Sequence, residues 1–169
     1  MRSLVNIDVI NRQRGYRVNR QRLCDLARAV MRAEGVRACD VEIAVVGDAE
    51  IAALNERYLS HRGPTDVLSF DLSDNPPPPA GRPGGRRRTV GDAEPPFRRT
   101  IVGQVVVSAD TARRSASQIG HSTGAELALY VIHGLLHLLG HDDLSEPGRT
   151  RMHARQRELA ARLGLRLRG

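Results

Sequence analysis

The sequence predicts an α+β fold: a mixed sheet of about four strands packed with helices, one of them central and buried. Three observations predict it. Four short segments are rich in the apolar, often β-branched residues that strands use. One longer segment is apolar around most of a helical surface, so it reads as a buried helix. The two periodicities follow one another in the order β-α-β-α-β-β-α-α-α, which suits a sheet with helices docked on it.

The first strand lies in "SLVNIDVINR", where Val5, Ile7 and Val9 alternate with polar residues. A helix follows from about Asn19 to Gly35, with Leu23, Leu26, Ala27, Val30 and Met31 at helical spacing and Gly35 as its stop. "VEIAVVG" at 41–47 is the second strand, and "DAEIAALNERYL" is a short helix with Asp48 as its N-cap. "DVLSFDL" at 66–72, behind the turn pair Gly63-Pro64, is the third strand, and "IVGQVVVS" at 101–108 the fourth. Residues 73–99 between them are dominated by Pro, Gly and Arg and have no apolar period, so a long, mostly disordered loop is expected there. "ADTARRSASQ" is a helix ending near Gly120. The central helix is "STGAELALYVIHGLLHLLG". Thr123 and Glu126 fit a capping box, Leu127, Tyr130, Val131, Leu135 and Leu138 fill most of its surface, and Gly140 ends it. A last helix runs from about Pro147 to Leu163 with Met152, Leu159 and Leu163 inward.

A length of 169 residues suits one domain spanning 1–169. No apolar run is long enough for a bilayer, and "MRSLVNIDVI" is too short for a signal peptide. The expectation is a cytoplasmic protein without membrane partners. Cys24 and Cys39 lack CxxC spacing and are expected to be reduced thiols. Net charge is +7, and every basic residue is Arg. The planar guanidinium fork matches phosphate, so this surface suits nucleic acid, with Arg86, Arg87, Arg88, Arg98 and Arg99 of the Arg-rich loop available to RNA. Aromatic content of 3% and no Trp argue against a base-stacking platform.

The chemistry concentrates in "HGLLHLLGHDD", residues 133–143. His133 and His137 stand one helical turn apart, so both rings can aim at one point. Two imidazoles on a buried helix each need a polar partner, and a metal ion satisfies both at once. Gly140 breaks the helix, and the residue three later returns to the same point; that residue is Asp143. This is the spacing of the metzincin peptidases, except that their general-base Glu is Gly134 here and their last His is Asp143. A peptidase reading therefore lacks its proton acceptor. His141 is the alternative third ligand, since imidazole suits zinc well.

The same stretch resembles the H-G-x-L-H-L-x-G-x-D-H signature of the YbeY endoribonucleases, bacterial factors of ribosomal RNA maturation. "PTDVLSF" at 64–70 resembles a second hallmark segment of that family, and "LNERY" and "VGQVVVS" fit as well, in order over about residues 40–160. The resemblance implies an α+β fold, one zinc ion held by three side chains, and cleavage of single-stranded RNA. It also implies a role in 16S rRNA 3′-end maturation and ribosome quality control, with the small ribosomal subunit and its proteins as partners. This sequence departs from the family pattern at Asp143, where His is usual, at Leu59, where Arg is usual, and at Gln104, where an acidic residue is usual.

The expected mechanism is metal-assisted phosphodiester hydrolysis, with zinc on His133, His137 and Asp143 keeping one position for water or a phosphate oxygen. Asp142 and His141 are the candidate proton acceptors. Arg57 and Arg62 are candidates for the charge that Leu59 lacks, with Ser69 and Thr65 shaping the wall of the site. The alternative is a non-catalytic, zinc-stabilised ribosome assembly factor, in which the metal site is closed.

Overall fold

A computed structural model describes residues 4–73 and 100–167. The expected loop over 73–99, apart from Ser73, lies outside the described residues. The elements run β1 (Leu4–Asn11), α1 (Arg20–Ala33), β2 (Ala38–Val46), α2 (Asp48–Leu59), β3 (Val67–Asp71), β4 (Ile101–Ser108), α3 (Ala109–Ile119), α4 (Thr123–Leu138) and α5 (Glu146–Arg162). Their order is the one read from the sequence.

The four strands form one mixed sheet in the order β1-β2-β4-β3. β1, β2 and β4 are parallel, and β3 runs antiparallel along β4. β2 starts earlier than the apolar run at 41–46 suggests, because β1 zips onto it from Leu4↔Ala38 and buries Cys39. One face carries the main core: Val41, Ile43, Val45, Val105 and Val107 pack against Leu26, Val30 and Met31 of α1 and Leu127, Val131 and Leu135 of α4. The other face holds a smaller cluster of Ala44, Val46, Ile51, Leu68 and Val106 under α2. α4 contacts α1, α3, α5, β3 and β4, which is why so little of its surface is polar. Among the described residues no helix is long and apolar enough to cross a membrane. Cys24 and Cys39 are free thiols; burial, more than the nearby Asp40 charge, pushes the Cys39 thiol up to about 11.

Two caps differ from their sequence readings. Gly47, not Asp48, occupies the N-cap of α2, and the carboxylate of Asp110 accepts the Asp48 N–H at 2.9 Å. This leaves the Asp48 side chain to accept from Ser108 Oγ (2.8 Å), Thr111 Oγ1 (3.0 Å) and Arg114 Nη1 (2.5 Å), tying α2 to α3. At α4, Ser122 is the N-cap and accepts from the Ala125 N–H. Glu126 turns instead to His121 Nδ1 at 2.6 Å, a buried pair, so there is no capping box between Thr123 and Glu126.

The Arg114 guanidinium, with help from Ser108 and Thr111, holds the Asp48 carboxyl below its ordinary value. Its stabilising effect is thus present above the unfolded value of about 3.9 and lost as pH falls through the lower folded value. Asp48→Asn is expected to lower the melting temperature at neutral pH, with the gap to the parent chain closing in strong acid. A gap independent of pH would contradict this.

Candidate metal centre

The site is built by the end of α4 and the turn after it. His133 and His137, one turn apart, project from the same face. Gly140 follows with φ +90°, a conformation that costs glycine nothing and other residues strain. The Gly140 N–H bonds the His137 carbonyl (3.0 Å) and the His141 N–H the Leu136 carbonyl (3.0 Å), a Schellman closure that satisfies the helix end and reverses the chain. Asp142 then accepts from the Leu144 N–H (2.8 Å), and Ser145 caps α5 through the Gly148 N–H (3.1 Å). The loop between the two caps carries Asp143 back to the histidines.

His133 Nε2 and His137 Nε2 lie 3.1 Å apart, and Asp143 Oδ2 is 3.4 Å from His137 Nε2 and 3.9 Å from His133 Nε2. Donors bonded to one tetrahedral zinc ion at 2.0–2.1 Å stand about 3.3 Å from each other. The three atoms are therefore spaced as one face of such a tetrahedron, and they form a group of His and carboxylate donors fit to hold a metal ion.

The protonation pattern fits the same use. Gln156 of α5 places Oε1 3.0 Å from His133 Nδ1, so that ring nitrogen donates and Nε2 keeps its lone pair for the shared point. Burial, then the neighbouring His133 ring, hold the His137 imidazole below its ordinary value, and the Asp143 charge only partly offsets this. A lowered imidazole value at His137 favours the neutral form that metal binding requires. With their Nε2 lone pairs facing each other, a cation is the natural third party. Sequence reading missed Gln156, which belongs to no motif and gains its role only through the docking of α5 on α4. Gln156→Leu is expected to weaken zinc binding about 10–100-fold while leaving the zinc-free fold intact. Zinc titration of parent and variant checks this, and unchanged affinity would count against it.

Gly134 sits where peptidases of this spacing carry their glutamate. A Cβ there would meet Val105 Cγ1 at 2.5 Å, Val67 Cγ2 at 2.9 Å and Ser69 Oγ at 3.1 Å. The helix rides directly on β3 and β4, and the glycine permits that approach. Ser69 donates to the Gly134 carbonyl at 3.0 Å, so its hydroxyl anchors helix to sheet one turn from His137.

The other expected site residues are placed as follows. The His141 ring faces Glu34 at 3.3 Å, away from the shared point of the three ligands. Glu34, at the end of α1, also accepts from Arg155 Nε at 2.6 Å, and the His141 contact, opposed by burial and aided by Arg155, holds its carboxyl below the ordinary range. Asp142 is exposed and takes up the loop N–H of Leu144. Arg57 and Arg62 are exposed on the end of α2 and the segment after it, with the Arg57 guanidinium 5.3 Å from the Tyr58 ring centre. Among the described residues neither is brought into contact with the histidines. Thr65 bonds Asp66 at 3.1 Å. Leu59 is half exposed, and Gln104 donates to Glu42 Oε1 at 2.6 Å, so an acid stands beside position 104 although not at it.

The model of the family described as "Endoribonuclease YbeY" matches residues 8–164. This chain belongs to the YbeY endoribonuclease family. Relatives carrying that family name include one from Moorella thermoacetica, 38% identical with 92% of this chain and 96% of the relative covered, and one from Acidothermus cellulolyticus, 37% identical with 92% and 89% covered. A solved Thermotoga maritima protein aligns with TM-score 0.58 at 21% identity, covering 93% of this chain and 88% of that one, which supports the fold. The YbeY match runs from within β1 to beyond α5, and so includes both the group of three candidate donors and Gln156.

Proposed function

We propose that this chain is a zinc-dependent endoribonuclease that cleaves single-stranded RNA, acting in the cytoplasm in 16S rRNA 3′-end maturation and ribosome quality control. One observation carries the reading: two imidazole nitrogens and a carboxylate oxygen, spaced for one tetrahedral ion, on side chains 20–35% exposed. Among the described residues no fourth His, Cys or carboxylate joins them. That favours a site with one position open to solvent over a closed structural one. The relatives' shared name, endoribonuclease, makes RNA the substrate class.

A two-imidazole, one-carboxylate donor set suits zinc. Bound there, zinc would acidify water and polarise a phosphoryl oxygen. The chain's own residues do the rest. Gln156 holds the His133 tautomer. Ser69 fixes the helix on the sheet. Asp142, exposed beside ligand Asp143, is the proton acceptor in this proposal, while His141 pairs with Glu34 and steadies the loop. Arg57 and Arg62 hold RNA phosphates in place of the arginine that Leu59 replaces. Such contacts are salt-dependent and blind to sequence, so the small ribosomal subunit presents the strand at the cleaved position.

The test is cleavage of a single-stranded rRNA 3′ segment by purified protein, with chelator and with zinc restored. Cleavage that stops with chelator and returns with zinc is expected. Zinc-loaded protein that stabilises the fold without cutting RNA would instead favour the assembly-factor reading.

A further inference from the structure

α5 divides its basic residues into two rows. With 3.6 residues per turn, and angles taken from the Gln156 position that touches His133, Arg149, His153 and Arg157 stand at about 20°, 60° and 100°. Arg151, Arg155, Glu158 and Arg162 stand at about 200–260° on the far side. Most of the far row is paired: Arg155 bonds Glu34 at 2.6 Å and Glu158 at 2.7 Å, and Arg162 approaches Glu158 at 3.9 Å, while Arg151 is exposed and, among the described residues, takes part in no ion pair. The near row is not. Arg149, His153 and Arg157 are exposed, and among the described residues none of them takes part in an ion pair.

The near row also lines a surface groove of about 420 Å³, together with Glu146 and Thr150. One lining residue, Arg149, links the groove to the loop that carries Asp143. Arg149 Nη1 donates to the backbone carbonyl of Asp143 at 3.3 Å, and Gln156 bonds His133 on the same side of the helix. Along the axis the three basic residues follow at steps of about 6 Å, each four residues on at 1.5 Å apiece. A chain of phosphates is the ligand that such a row of unpaired, evenly stepped donors fits, since each guanidinium takes a phosphate in bidentate fashion.

The geometry points to a phosphate-binding track for single-stranded RNA on α5, in which Arg149, His153 and Arg157 carry the strand away from the metal centre. This rests on the endoribonuclease reading for its substrate class. It adds a second contact surface besides Arg57 and Arg62, on a different element. The row drifts across the helix surface, from about 20° at Arg149 to about 100° at Arg157 measured from Gln156, so Arg157 is turned farthest from the face that meets His133.

The test uses the zinc-loaded full chain and a 2′-O-methyl oligouridylate labelled for fluorescence anisotropy, so that binding is read without cleavage. Arg149→Gln/Arg157→Gln is expected to weaken binding and reduce the slope of log affinity against log salt by about 1.4, at about 0.7 per lost single-strand phosphate contact. Arg157→Gln alone, remote from the ligand loop, is expected to lose about half of that while keeping full zinc content. Arg151→Gln, with the same charge change on the far row, is expected to bind like the parent. The track is overturned if the double variant keeps the parent slope, or if Arg151→Gln costs as much as Arg157→Gln. An unmodified strand run in parallel separates the two claims. A parent chain that binds with the expected slope but never cuts refutes the nuclease reading and leaves the track standing, whereas cutting with unaltered binding in the α5 variants refutes the track alone.

Discussion

Replacing His137 with alanine is expected to abolish zinc binding and reduce RNA cleavage to background. His137 supplies the nitrogen nearest both other donors, 3.1 Å from His133 Nε2 and 3.4 Å from Asp143 Oδ2, so no pair left behind closes the face of the tetrahedron. Metal that binds only the folded state stabilises it by about 4 kcal/mol when zinc is at a thousand times its dissociation constant. For a chain of this size that is roughly 8–16 °C in melting temperature at about 2–4 °C per kcal/mol. Parent and variant should therefore differ widely with zinc present and little with chelator, because the imidazole is already neutral and partly exposed without metal. A variant that loses zinc yet keeps cutting RNA would show that the metal is not catalytic.

The second large effect is expected at Gly134, outside the ligand set. Gly134→Ala gains helix propensity of about 1 kcal/mol but drives a methyl to 2.5 Å from Val105 Cγ1 and 2.9 Å from Val67 Cγ2, in a face of the sheet that has no slack. Overpacking of this kind costs about 1–3 kcal/mol. The expected net result is a loss of stability. The same shift pushes α4 off β3 and strains the Ser69 bond to the Gly134 carbonyl, so zinc affinity should fall as well. Gly134→Glu recreates the peptidase motif on paper, but its carboxylate has to enter the same contact. It is expected to destabilise by more than the alanine and to gain no peptidase activity. Thermal melts with and without zinc, and a casein digest for the Glu variant, check both; a Gly134→Ala chain as stable as the parent would show that the helix can lift off the sheet at no cost.

Much of this was legible in the sequence, and the misses have physical causes. Strands declare themselves through residues such as Ile7, Val9, Ile43 and Val105, whose burial follows from local alternation or from short apolar runs. The grouping of His133, His137 and Asp143 was legible because its members sit within one helix and the turn that follows it, where spacing alone fixes geometry. Residues whose roles depend on docking were not. Glu34 meets His141 from 107 positions away, and nothing local to His141 foretells that partner. Gln156 and Arg149 sit on a polar helix whose orientation toward α4 no motif encodes. The caps failed for a different reason. Ser122 and Thr123 are adjacent cap formers, and the buried His121–Glu126 pair removes the residue that would have completed the box. At Asp48 a cross-helix ion pair outcompeted its use as a cap.

The measurement that bears most directly on the metal centre is zinc per chain after exhaustive dialysis, in the parent and three variants. The ligand set His133, His137 and Asp143 predicts about one zinc per chain in the parent, as for a site of three protein ligands. It predicts none in Asp143→Ala, retention in Asp143→His, and parent-like content in His141→Ala, whose ring faces Glu34 instead. Zinc kept by Asp143→Ala and lost by His141→Ala would contradict the assignment and make His141 the third ligand.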